Sequence, residues 1–375
     1  RDLLGLIRTQ ELLAARRLDG GQQFFTRAND FGFSKNVKEA FAIWGKDEIL
    51  SDVVSVMRQF QPDIILTRFP PDERAGHGHH TGSAVLAMEA FDLAGKADYK
   101  PDQVARYGAW QPKRVYMNTG RFFDNTVNEN TPGVVMVNMG TYNALLGRSY
   151  SEIAAESRTQ HKSQGFGSTG RRGESPEYFL YLKGEKASKD LFEGVNTTWS
   201  RIPGGEKIQP LVEQAIKEYN EEKPYASVPA LVQIRKQISL LAPSVWRERK
   251  LTEVNQLIQD CLGLYVEVAT NQPWIAPGEM VINNFEVVNR SPVPVKLTSV
   301  VSKKLGLDSS MDLALSDNKL VLFKTRKNVD SQLGYSDPYW LREDHLQGLF
   351  IVPGPEYIGK PENGPAITVA CSFEV

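Results

Sequence analysis

Histidine is sparse in this chain, cysteine sparser, and neither sign of charge prevails. The 375 residues hold five histidines, two cysteines, and 44 basic against 45 acidic side chains, for a net charge of −1. A balance so close to neutral gives no support for nucleic acid or an anionic membrane surface as partner. No apolar run approaches the ~20 residues that a membrane-spanning helix needs, so no span is expected. Cys261 and Cys371 are far apart in sequence and form no metal motif. They read most simply as core residues, which leaves the redox compartment undecided. There is no internal repeat and no low-complexity tract. What remains is an ordinary globular composition, 41% hydrophobic and 24% charged, long enough for two domains with a core each.

The ends look cut. The chain opens without Met, directly in a helical pattern: Leu3, Leu4, Leu6, Ile7, Leu13, Ala14 and Leu18 fall on one face at 100° per residue, with no capping residue before them. It closes on a strand-like run, Ala366 to Phe373. A piece of a longer protein is expected. Any signal peptide would lie before residue 1, so the compartment stays open, extracytoplasmic included.

Up to about Lys223 strands and helices alternate. Strands are expected at Gln22–Thr26, Asp63–Thr67, Lys113–Asn118, Val134–Asn138 and Tyr178–Leu182, and helices near Asp47–Phe60 and Ser83–Leu93. Ser149-Tyr150-Ser151-Glu152 is a capping box that starts another helix. Such alternation predicts an α/β fold with a mostly parallel sheet covered by helices. From Val228 to Leu262 the pattern is helical, with Val254, Leu257, Ile258 and Cys261 at i, i+3, i+4, i+7. Beyond Gly263, short β-rich runs such as Tyr265–Val268, Glu286–Val288 and Lys319–Phe323 alternate with turn residues, which predicts an all-β, sandwich-like module. The expected division is 1–225, a helical connector 226–262, and a β module 263–375.

The scarce histidines are concentrated. His77, His79 and His80 stand in Asp72-Glu73-Arg74-Ala75-Gly76-His77-Gly78-His79-His80, on the loop between a predicted strand and a predicted helix. Loops at the carboxyl ends of α/β strands are where such folds build active sites, and imidazole both ligates metals and moves protons near neutral pH. A catalytic zinc typically takes three protein ligands, and one loop seldom supplies them all. Asp72, Glu73 and Asp30 are acidic candidates, although Asp30 before Gly32 reads equally as a turn residue. Arg27 is either a solvated charge or a substrate contact.

Gly165-Phe166-Gly167-Ser168-Thr169-Gly170 matches the dinucleotide fingerprint letter by letter, but a helix precedes it and charged residues with Pro176 follow. The fingerprint needs a strand before and a helix after, so a mobile glycine-rich lip is the better reading. His161 leads into it from the face of Tyr150, Ile153, Ala154 and Ser157, half-buried or substrate-facing, and Arg171 and Arg172 could meet sugar hydroxyls or an anion. No Gly-x-Ser-x-Gly elbow and no cysteine close to a histidine supports a covalent nucleophile. Metal-activated water fits better.

The stretch from Phe69-Pro70-Pro71-Asp72 through Gly76-His77-Gly78-His79-His80-Thr81-Gly82 resembles the Gly-His-Pro-Asp-His segment of the LmbE-like, or PIG-L-type, zinc-dependent N-deacetylases. Arg8-Thr9-Gln10-Glu11 and Arg27 to Ser34 support the resemblance, which spans roughly residues 1–223. Ser157 to Gly165 is similar to a segment of long members with appended β domains. The resemblance implies a Rossmann-like α/β/α layer that binds Zn²⁺ and de-N-acetylates an N-acetylglucosamine-type sugar or glycoconjugate. It further implies His80 as a metal ligand, His77 as the group that meets the oxyanion (its imidazolium form suiting the charge), and Arg27 and Asp30 as substrate contacts. His161, Arg171 and Arg172 join the substrate candidates. The family's Ala-His-Pro-Asp-Asp-Glu signature, source of two ligands and the general base, is absent, and His79 stands where the second segment carries an acid. A non-catalytic carbohydrate-binding protein with a degenerate deacetylase-like domain is the alternative.

Overall fold

The computed structural model describes residues 2–120, 123–124 and 126–375. The chain divides into two compact units, Arg1–Val195 with Asp337–Asn363, and Asn196–Ser336 with Gly364–Val375. Among the described residues no helix is long and apolar enough to cross a membrane.

The first unit begins with α1 (Asp2–Asp19), then α2 (Val37–Trp44), α3 (Lys46–Phe60), β1 (Ile64–Thr67) and α4 (Gly78–Ala94). Next come α5 (Pro101–Tyr107), β2 (Arg114–Thr119), β3 (Val134–Asn138), the short pair β4 (Tyr142–Asn143) and β5 (Arg148–Ser149), α6 (Tyr150–Thr159) and β6 (Pro176–Gly184). Gly45, at φ 77°, ends α2 and turns directly into α3, a conformation that carries little cost only for glycine. Ile49, Leu50, Val54 and Met57 of α3 then pack with Leu86, Ala90 and Ala94 of α4 and with Trp44. The capping box at Ser149 is present, with Glu152 closing it on the Ser149 amide.

The sheet order is β1-β2-β6-β3, and only β1 and β2 are paired in parallel. β6 runs antiparallel to both β2 and β3. The expectation of a mostly parallel sheet is therefore corrected: β1, β2 and β3 run one way and β6 is inserted between the last two in the opposite sense. Alternation of strands and helices indicates a layered α/β unit. It does not say which neighbour a late strand joins, because that depends on pairing across long separations.

Two further expectations change. Gln22–Thr26 is not a strand; Phe25 and Ala28 make single bridges, to Gly359 and Leu349, so their partners lie in the returning segment Asp337–Asn363. In α1 the buried side chains are Thr9, Glu11 and Ala15, while Leu4, Ile7 and Leu18 are exposed; the side chain of Leu3 lies outside the described residues. The helix turns a polar-edged face inward because Glu11 accepts the Ser163 hydroxyl at 2.8 Å and Asp19 accepts that of Ser157 at 2.8 Å.

In the second unit α7 (Gln209–Lys217), α8 (Val228–Ser239) and α9 (Val245–Leu262) precede six strands. These are β7 (Tyr265–Thr270), β8 (Met280–Val288), β9 (Val295–Ser302), β10 (Leu307–Leu315), β11 (Val321–Asn328) and β12 (Ala370–Glu374), in two antiparallel sheets ordered β10-β9-β12 and β11-β8-β7. Val281 and Phe285 of one sheet meet Leu297, Val300 and Leu307 of the other in a shared core. The helices join them: Ile234, Ile238, Val254 and Leu262 pack with Val287, Val295 and Leu315. Contacts thus group residues 196–262 with the strands, and they place Asp337–Asn363 in the first unit rather than in a continuous module 263–375. Cys261 and Cys371 are free, half-buried thiols in α9 and β12, both raised above the usual range by burial.

Candidate functional site

The three clustered histidines sit where the chain passes from β1 into α4. A 3₁₀ turn, Glu73–Ala75, is capped by the Asp72 carboxylate and closed by Gly76 at φ 71°. His77 is the N-cap of α4: its Nδ1 accepts the His79 N–H at 3.2 Å. Ser34 Oγ shares that amide at 3.1 Å and lies 3.3 Å from the same Nδ1. Gly78 is required here, since a Cβ would stand 2.3 Å from the Asn36 carbonyl oxygen and 2.5 Å from Ser34 Oγ.

Each ring has its own surroundings. His80 stacks on Phe69 with centroids 3.7 Å apart, and its Nδ1 lies 3.3 Å from the Ala75 carbonyl. Donation to that carbonyl fixes the tautomer and leaves Nε2 with its lone pair free, the usual preparation of a metal-ligating imidazole. The His77 ring is 5.1 Å from that of His80 and meets the edge of Phe33 at 4.9 Å. His79 turns the other way, stacked on Trp44 at 4.5 Å and edge-on to Phe31 at 4.4 Å. Its Nε2 is buried without a partner, and burial, then the neighbouring His77, lowers its pKa. His79 is a packing residue in this geometry.

For a resident zinc the fit is partial. His80 presents one suitable nitrogen, but among the described residues no three His, Cys, Asp or Glu side chains are grouped to hold a metal ion.

The remaining candidates are dispersed. Arg27 grips the buried Asp52 through its Nε (3.0 Å), Nη2 (2.9 Å) and backbone N–H (2.9 Å), and reaches Glu48 at 2.8 Å. Burial alone would lower its pKa; Asp52 and then Glu48 outweigh that and hold it above the usual range. Asp30 is largely exposed, accepts the Gly32 N–H at 2.8 Å as a turn residue does, and lies 3.5 Å from Arg8. His161 stands past the end of α6, which stops at Thr159, rather than inside the helix; its Nδ1 is buried without a partner. The glycine-rich loop lies along α6: Ser151 Oγ donates to the Arg171 carbonyl at 2.7 Å, Arg172 pairs with Glu152 at 3.3 Å, and the Ser168 amide reaches Thr159. The structure thus brings His77 and His80 together, and gathers Arg27 and Asp30 with Arg8 around a neighbouring cavity.

Sequence reasoning gave no role to Ser34, Phe33 or Phe69, the residues that orient the two rings. Ser34 ends the Arg27–Ser34 stretch already singled out, but only the close approach at Gly78 shows what it touches.

Comparisons with known proteins bear on this region. Residues 2–91 match the family described as PIG-L: GlcNAc-PI de-N-acetylase. A 1D-myo-inositol 2-acetamido-2-deoxy-alpha-D-glucopyranoside deacetylase of Streptomyces avermitilis is 26% identical over 235 residues, covering 52% of this chain and 78% of that protein. The protein of the same description from Streptomyces scabiei is 29% identical over 127 residues, covering 31% of this chain and 38% of its own length. No solved structure matches at comparable stringency. The matched residues 2–91 carry α1, α3, β1 and all three clustered histidines, so the similarity to the PIG-L family falls on the candidate site.

Proposed function

We propose that this protein removes the acetyl group from an N-acetylglucosamine-type sugar or glycoconjugate by metal-dependent hydrolysis of the amide. Water's oxygen forms a bond to the carbonyl carbon, the C–N bond breaks, and acetate leaves as the amine takes up a proton. The observation that carries the reading is the hydrogen bond from the His79 amide to His77 Nδ1. With Nδ1 occupied as an acceptor, Nε2 is the ring nitrogen that carries the N–H available to a substrate oxygen. A fixed N–H beside the N-terminus of α4 suits the negative charge that develops on the carbonyl oxygen. Phe33 and Ser34 hold the ring in place.

His80 is assigned as one zinc ligand, supported by its ordered Nδ1 and the stacked Phe69. When bound, zinc supplies Lewis acidity toward the carbonyl. The test uses the full-length protein with N-acetylglucosamine glycosides, following free amine and, by elemental analysis, zinc. His77→Ala should retain zinc and lose ~10²–10³ in rate, the usual cost of an oxyanion donor. His80→Ala should lose the metal. Zinc disappearing with His77→Ala would move that residue to the metal; sugar binding without any amine release would favour the non-catalytic alternative.

A further inference from the structure

Beside the histidine loop the first unit holds a cavity of about 450 Å³. One wall is Leu12 and Arg8 of α1 with Phe25; the other is Tyr339, Trp340 and Phe350 of the returning segment. Well-packed interiors leave few voids larger than a water molecule, while small-molecule sites occupy roughly 300–1,000 Å³. This cavity falls in the second class.

Its walls are built rather than collapsed. The Phe25 amide donates to the Gly359 carbonyl at 3.0 Å, the Phe350 amide to that of Arg27 at 2.8 Å, and Gln10 Nε2 to the Glu362 carboxylate at 2.9 Å. The Tyr339 hydroxyl donates to the Lys360 carbonyl at 2.7 Å, anchoring the turn that carries Trp340. Aromatic and aliphatic side chains make up much of the lining, joined by Thr9, Thr26, Arg27, Asn29, Asp30 and Lys360. Arg8 Nε is buried and has no hydrogen-bond partner, while Nη1 of the same guanidinium lies 3.5 Å from Asp30. A ligand that fits is therefore largely apolar and carries an acceptor oxygen.

The cavity reaches the proposed site through the backbone. Gly32 lines it, the next residue, Phe33, packs on His77, and Ser34 bonds the same ring. We propose that the cavity is a second subsite that takes an apolar aglycone of the amino sugar, with Arg8 donating to an oxygen of that group. The sugar's identity rests on the proposed function; the subsite does not. Tyr339, Trp340 and Phe350 lie outside the family-matched residues 2–91.

Calorimetric titration of the chain with octyl 2-acetamido-2-deoxy-β-D-glucopyranoside, octyl β-D-glucopyranoside and N-acetylglucosamine tests this below the detergents' micellar concentrations. The octyl amino sugar should bind at least tenfold more tightly than N-acetylglucosamine. Trp340→Ala, and separately Leu12→Trp, which fills the cavity without removing a wall, should abolish that advantage and leave N-acetylglucosamine binding unchanged. Equal affinities for the two amino sugars, or an octyl advantage that survives Leu12→Trp in a folded protein, overturns the proposal. Octyl glucoside binding as tightly as the octyl amino sugar, with sensitivity to both substitutions, supports the subsite while counting against the N-acetyl reading.

Discussion

Gly78→Ala is the smallest change that strikes both the fold and the site. The added methyl would stand 2.3 Å from the Asn36 carbonyl oxygen and 2.5 Å from Ser34 Oγ, each about 1 Å inside ordinary contact. Neither neighbour is a flexible side-chain tip: one is backbone at the N-cap of α2, the other bonds His77 and the α4 amide. Relief requires α4 to lift from the 34–36 loop, so the cost belongs at the upper end of overpacking, about 3 kcal/mol. In a unit of this size that is a fall of roughly 6–12 °C in Tm. Gly76→Ala is the control. Gly76 is at φ 71° with nothing within 4 Å of a new Cβ, so it carries left-handed strain alone, about 1–2 kcal/mol. Thermal unfolding of the two variants, with the imidazole proton resonances of His77 followed alongside, decides the matter. The reasoning fails if Gly78→Ala is no less stable than Gly76→Ala, or if His77 is undisturbed in a destabilised Gly78→Ala.

Two other outcomes follow from the charged groups of the first unit. Asp52→Ala strands Arg27, a loss of about 3 kcal/mol by chemical denaturation, at the low end for a broken buried pair because Glu48 remains a partner; Arg27→Met with Asp52→Leu should recover most of it. Asp19 is resisted by burial, yet Arg16, the Gly21 amide and Ser157 bring its pKa down to about 2 from 3.8. A depressed carboxylate contributes stability that is full above pH 4 and lost as pH falls toward 2, so Asp19→Asn should flatten that part of the acid limb; an unchanged limb would remove Asp19 from the account.

Local patterns in the sequence settled a good deal of this protein. The period of α3, the Ser149 capping box and the β-branched run of β1 each place an element because their cause is local: side-chain spacing, a cap, a stiff χ1. The histidine loop was legible for the same reason, as a cluster between a strand and a helix, and so was the turn at Asp30. Tertiary structure alone decided the rest. That β6 enters between β2 and β3 in the opposite sense, that Phe25 pairs with Gly359 instead of forming a strand, and that Asp337–Asn363 packs in the first unit all depend on contacts hundreds of residues apart or on strand partners no local pattern encodes. Within the cluster, the family resemblance gave His77, His79 and His80 different parts, but what surrounds each ring was decided by tertiary structure. Trp44 and Phe31 bury His79, Ser34 and the α4 amide orient His77, and Phe69 with the Ala75 carbonyl holds His80.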